Sequence, residues 1–118
     1  TGVQTCALPI FLAASPRVLI LDEPTRGLDY QAKKSLVSIV RKLAHEGSKA
    51  ICIATHDVEL VADIADRVIF IADGEMISDS DVREALLSSP AFAPQVAKAY
   101  PDEGFIAVSE VRTEQSKR

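Results

Sequence analysis

The feature that most constrains this chain is Val18-Leu19-Ile20-Leu21 running straight into Asp22-Glu23 and then Pro24. A short apolar run with β-branched members, closed by acids and a proline, reads as a buried strand of a parallel sheet. The residues beyond Pro24 fit a crossover. Asp29 stands where an N-cap belongs, and Leu36, Ile39, Val40 and Leu43 recur at helical spacing, with Lys33, Lys34, Arg41 and Lys42 on other faces. Gly47 closes this helix as the residue after its C-cap. Lys49 to Thr55, KAICIAT, is then a second buried strand.

His56-Asp57 opens another helical stretch, with Val58, Val61, Ala62 and Ala65 as its apolar face. Arg67 to Ala72, RVIFIA, is a third strand, and Asp73-Gly74 is a two-residue turn into Glu75 to Ser78, which makes a hairpin at a sheet edge. From Asp79 the pattern is a helix carrying Val82, Ala85 and Leu86, a break at Pro90, and a short helix around Val96 to Tyr100. A loop over Pro101 to Gly104, an apolar patch from Phe105 to Val108 and a charged, frayed tail complete the chain. Strand, helix, strand, helix, strand is the order of an α/β layer fold with parallel strands and crossovers. Ligands of such sheets gather at the carboxyl ends of the strands. Asp22-Glu23 and His56 fall there, on two different strands, so they can meet in space.

Composition narrows the function classes. The 118 residues suit one small domain with a single core. A hydrophobic fraction of 47% with net charge −4 is globular and offers no clustered basic face for a nucleic acid. No apolar run approaches the roughly 20 residues that cross a bilayer, so any link to a membrane goes through a partner. Cys6 and Cys52 have no metal-ligand spacing and no paired framework, which points to a reduced, cytosolic protein with Cys52 as a small core residue. The opening TGVQTCALPI lacks the basic start of a signal peptide, and Pro9 interrupts its short apolar part.

The strand-end residues have a chemistry in common. A carboxylate beside a phosphate site can hold Mg²⁺, which keeps several waters and needs only one or two protein carboxylates plus phosphate oxygens. A second carboxylate next door, pointing the other way along the strand, can orient and polarise a water. A histidine at the neighbouring strand end can hydrogen-bond a terminal phosphate. Taken singly, each residue has a plainer reading: Asp22-Glu23 as a solvated strand end or N-cap pair, His56 as a satisfied strand-end histidine, Asp29 as an N-cap.

Taken together, LILDEPTRGLD followed by IATHD resembles the ATP-binding-cassette (ABC) ATPases. The apolar strand plus Asp22 looks like the Walker B motif, Glu23 falls on the general-base position, Gly27-Leu28-Asp29 matches the D-loop, and His56 matches the switch histidine. The resemblance covers about Phe11 to Ser89, including DVELVADIADRVIFIADGEMISD after the histidine. It implies a P-loop-NTPase-like parallel sheet with flanking helices, and ATP and Mg²⁺ as cofactors. By that resemblance Asp22 would hold the Mg²⁺ shell, mainly through water, Glu23 would position the attacking water, and His56 would contact the γ-phosphate. Asp29 would sit at the interface with a second ABC ATPase domain, identical or not. A transmembrane coupling subunit would convert closure and reopening into transport, holding the ATPase on the cytoplasmic face of the plasma membrane. Arg26 and the tail VREALLSSPAFAPQVAKAYP are similar to the energy-coupling factor (ECF) ATPases and their short helical C-terminal extension, which power import of vitamins or of cobalt and nickel ions.

The match also breaks. The family grips phosphate with G-x-x-x-x-G-K-[ST], whereas Gly2, Gly27, Gly47, Gly74 and Gly104 are all singletons and no Gly-Lys pair occurs. The glutamine loop is missing, and TGVQTCALPI stands where an LSGGQ-type signature belongs. The codons ACT GGA GTT CAG ACG TGT GCT CTT CCG ATC encode that decapeptide and look like a standard short-read sequencing adapter. The expected organisation is therefore an adapter-like, non-native segment over residues 1–10, a partial ABC ATPase domain over residues 11–89, and a C-terminal extension and tail over residues 90–118. The chain is then the C-terminal half of one ATPase domain. Alone it would expose an open edge and an apolar face, bind Mg-ATP very weakly and tend to aggregate. Two other readings stand beside this one: a non-transport ABC ATPase, and a non-catalytic regulatory remnant of the fold.

Overall fold

The computed structural model describes residues 16–47, 49–88, 90–100 and 102–117. The adapter-like segment lies outside them. The chain forms two compact units, one ending at His56 and the other beginning at Asp57.

In the first unit, β1 (Val18–Asp22), α1 (Tyr30–His45) and β2 (Ala50–Ala54) succeed one another. β1 and β2 pair in parallel, with Val18 opposite Ala50 and Asp22 opposite Ala54. The expected crossover is thus present: parallel neighbours cannot be joined by a tight turn, and α1 supplies the connection. Asp29 caps α1, its Oδ1 accepting from the Ala32 N–H at 2.8 Å. Gly47 ends the helix with φ +74°, a left-handed conformation that costs glycine nothing. The buried stripe of α1 is Leu36, Val37, Val40 and Leu43. Val37 replaces the expected Ile39, which is exposed.

The strands are covered on one face only. Leu19 is buried, whereas Val18 and Ile20 are 59% and 72% exposed. Cys52 pairs in register with Ile20 and is a free, exposed thiol. This corrects the expectation of two buried strands and of a core cysteine. Side chains alternate across a strand. With α1 packed against β2 on one side, every second residue faces away from it, and no described residue of this unit covers that face.

The second unit contains α2 (Val58–Ile64), β3 (Arg67–Ala72), β4 (Glu75–Asp81), α3 (Val82–Leu87), α4 (Gln95–Ala99) and α5 (Val108–Lys117). The hairpin turn is as read from Asp73-Gly74: φ is +52° and +79°, positive at both central residues, as a type I′ turn requires. β3 and β4 are antiparallel, and the described strands pair as two separate two-stranded sheets. A register shift after Phe70 leaves Ile77 as an extra residue. β4 runs on to Asp81 instead of stopping at Ser78. Arg67 holds Asp79 across the ladder with two guanidinium N–H groups, and Asp81 then caps α3.

The core of this unit is Leu60 and Leu86, both essentially inaccessible, with Ala85, Val96, Ile106 and Ala107. Leu60 lies off the face expected for α2. Asp57 caps that helix by accepting from the Leu60 N–H, and Leu60 is its buried residue. The tail is helical rather than frayed. Glu110, in the first turn of α5, reaches back to accept the Ile106 and Ala107 N–H groups just ahead of the helix. At the start of α4, Glu59 accepts from the Gln95 N–H behind Pro94.

Candidate active site

The site lies where β1 and β2 end together. β1 stops at Asp22, and Glu23 turns out of the strand into the left-handed region, φ +45°. The backbone therefore does not continue the regular strand through Glu23. A non-glycine residue held there stores on the order of 1–3 kcal/mol and persists only where its surroundings fix it. The surroundings here are the three residues that close β2. The Glu23 N–H donates to the Ala54 carbonyl at 2.8 Å, extending the parallel ladder by one bond. Thr55 Oγ1 donates to Glu23 Oε2 at 3.2 Å. His56 Nδ1 lies 2.7 Å from Glu23 Oε1. An ionised carboxylate can only accept, so the geometry calls for the tautomer with hydrogen on Nδ1.

These contacts set the electrostatics. The hydrogen bond from His56 holds the Glu23 carboxyl below its ordinary value, partial burial opposes it, and the Thr55 hydroxyl adds to the lowering. Glu23 stays an anion in neutral solution, ready to accept a proton rather than give one. Its side chain is 29% exposed and that of His56 is 88% exposed.

Of the residues singled out in the sequence, Glu23 and His56 are brought together. Asp22 is exposed at the last position of β1, immediately before them. Its solvent-facing carboxylate suits a cation that keeps most of its waters and takes its other ligands from phosphate. Among the described residues no group of three or more His, Cys, Asp or Glu side chains could by itself hold a metal. Asp29 does not join the strand-end cluster; its carboxylate is used in capping α1. Between the two lies a tight turn, with Arg26 N–H bonded to the Glu23 carbonyl, Leu28 N–H to that of Thr25, and Gly27 at φ +74°. Thr55 is the member of the cluster that sequence reasoning misses. Its only mark in the sequence is its place just before His56, in IATHD.

Comparison with known proteins supplies the family. Residues 3–62 match the family described as "AAA domain, putative AbiEii toxin, Type IV TA system". The chain is similar to a "Putative ABC transporter ATP-binding protein" of Streptomyces coelicolor, 51% identical over 108 residues, covering 92% of this chain and 19% of the relative. A relative with the same description from Streptomyces avermitilis is 50% identical over 106 residues, covering 90% of this chain and 19% of that protein. One from Pyrococcus horikoshii is 42% identical over 73 residues, or 62% of this chain and 28% of the relative. The chain thus spans about a fifth of the length of its two Streptomyces relatives. On the family match across its first half, which takes in β1, α1, β2 and the strand-end cluster, the chain belongs to the AAA-type ATPase domains.

Proposed function

We propose that this chain carries the hydrolytic side of a nucleotide site in the ATPase of an ABC transporter. The observation that carries the reading is the anionic Glu23 held at a parallel-strand end by Thr55 and His56, one residue after Asp22. An anchored anion in that position can take a hydrogen bond from a water and align it for attack on a phosphoryl group. His56, exposed and able to donate, can turn to a terminal phosphate. Asp22 would hold Mg²⁺ chiefly through water; the ion, when bound, neutralises charge on the phosphate oxygens. Asp29 would face a second ATPase domain. The phosphate-gripping loop that such a site needs is not in this sequence, so on this reading the 118 residues alone bind Mg-ATP weakly. The apolar face of the β1–β2 sheet supports the further expectation that they aggregate.

The finer assignment is to an importer ATPase of ECF type that serves vitamin or metal-ion uptake. It rests on Arg26 and on the tail beyond the hairpin, where the helical extension is formed by α4 and α5. No helix among the described residues is long and apolar enough to cross a membrane. On this assignment a transmembrane coupling subunit would hold the ATPase on the cytoplasmic face of the plasma membrane. The relatives' printed description as transporter ATP-binding proteins favours this over a non-transport ATPase. The intact set of Asp22, Glu23, Asp29 and His56 favours it over a regulatory remnant.

The experiment is Glu23→Gln in the full-length protein. Turnover of ATP should fall by roughly 10²–10⁴-fold, while ATP binding persists and a closed dimer accumulates. Unchanged turnover would remove Glu23 from the base role. Copurification with a membrane coupling subunit checks the ECF assignment.

A further inference from the structure

We infer that Thr55 is a positioning residue: it fixes the Glu23 carboxylate while the His56 ring exchanges between that carboxylate and another acceptor. The inference rests on Glu23 being the base proposed above, and on an asymmetry between its two oxygens. Oε1 has the shorter contact, 2.7 Å, with a ring that is 88% exposed. Oε2 has the longer contact, 3.2 Å, in a part-buried setting, with the side-chain hydroxyl of Thr55, the residue just past β2. The histidine is thus the partner that a ligand can draw away, because little else covers it.

Loss of His56 alone would leave a carboxylate free to turn about its last torsion, which is broad and two-fold. The threonine prevents that. A β-branched side chain has few χ1 positions, and Thr55 comes directly after Ala54, whose carbonyl already accepts the Glu23 N–H at 2.8 Å. Consecutive residues of one strand end therefore hold the backbone and one carboxylate oxygen of Glu23. The oxygen released by His56 is the one left to accept from water. Carboxylate fixed, histidine exchangeable: that division of roles is what the two contacts differ in.

The test has two arms. In the full-length protein with bound Mg-ATP absent, ¹³C relaxation of the Glu23 side chain reports its order. Thr55→Val should loosen it to the range of flexible groups, an order parameter below about 0.6, and His56→Ala should leave it ordered. Order lost in His56→Ala but kept in Thr55→Val overturns the proposal. In the full-length protein, Thr55→Val should lower kcat by roughly 10- to 100-fold, the scale of a slightly misplaced catalytic group. KM for ATP should stay within about twofold, because no binding contact is lost. Thr55→Ser, which keeps the hydroxyl, should restore most of kcat; a merely structural role would not give this split or this rescue. Wild-type kcat in Thr55→Val, beside an inactive Glu23→Gln, sinks the proposal and leaves the ATPase reading standing. Wild-type kcat in Glu23→Gln sinks both. Should Thr55→Val fail to fold, Thr55→Ala removes the same hydroxyl and is read by the same criteria.

Discussion

Glu23 and Glu110 are equally accessible, each side chain 29% exposed, and both carboxyls sit below their ordinary value. Their surroundings differ. For Glu110 burial pushes the carboxyl up, and the Ile106 N–H, Arg83 and the Ala107 N–H together outweigh it. Two of those three donors are backbone groups at the start of α5, and Arg83 also donates to the Gly104 carbonyl. The two backbone donors cannot leave without undoing the start of the helix. Glu23 is held by two side chains, one of them on the surface with its second ring nitrogen unused in this contact. A lowered carboxyl is therefore no mark of function by itself; what separates the two is whether a partner can leave.

The comparison can be broken by experiment. Its largest expected effect is the loss of turnover in Glu23→Gln, paired with no fall in thermal stability beyond experimental scatter. Glu110→Gln should do the reverse in the same full-length protein: turnover per folded molecule unchanged, and stability lower by about 1–3 kcal/mol, the scale for stranding hydrogen-bonded partners. A Glu110 variant that folds normally but has lost turnover would erase the distinction.

Acid should give a smaller and graded effect. A carboxyl whose folded value is depressed stabilises the fold above its unfolded value and loses that contribution as pH falls through the folded one. For Glu110 the unfolded reference is 4.5, so melting temperature should be flat near neutrality and decline below about pH 4.5. In Glu110→Gln the decline should be shallower. The smallest effect is that of Asp29→Ala, about 1 kcal/mol for a lost N-cap, read by chemical denaturation. If Asp29 also serves a dimer interface, turnover will drop by more than that destabilisation explains.

Much of the fold and of the strand-end cluster is legible in the residues, for definable reasons. The strand ends that bring Glu23 to His56 arise from two apolar runs and a capped helix between them, all local signals. The hairpin turn arises from Asp73-Gly74. Other features depend on neighbours that periodicity cannot see. Val37 and Ile39 flank the Leu36, Val40 and Leu43 stripe from opposite sides, and which flank turns inward is decided by the sheet beneath. Cys52 and Ile20 read as core because apolar runs suit strands covered on both faces, and here α1 covers one. Leu60 escapes the pattern because α2 is a short helix whose inward face is chosen by what packs against it. The tail reads as frayed because its charges suggest solvation, while Glu110 in fact supplies its cap. Thr55 carries no sequence signal beyond adjacency, since a threonine closing a strand is ordinary until its hydroxyl has a named acceptor.

The left-handed backbone at Glu23 has a consequence for engineering. Asp73, the other non-glycine residue at positive φ among those described, is of a type that tolerates that conformation in turns. Glutamate is not. Variants selected only for heat resistance should therefore accumulate glycine or asparagine at position 23, relaxing the turn while removing the carboxylate. Screens that ask for folding alone would discard the residue on which hydrolysis is proposed to depend.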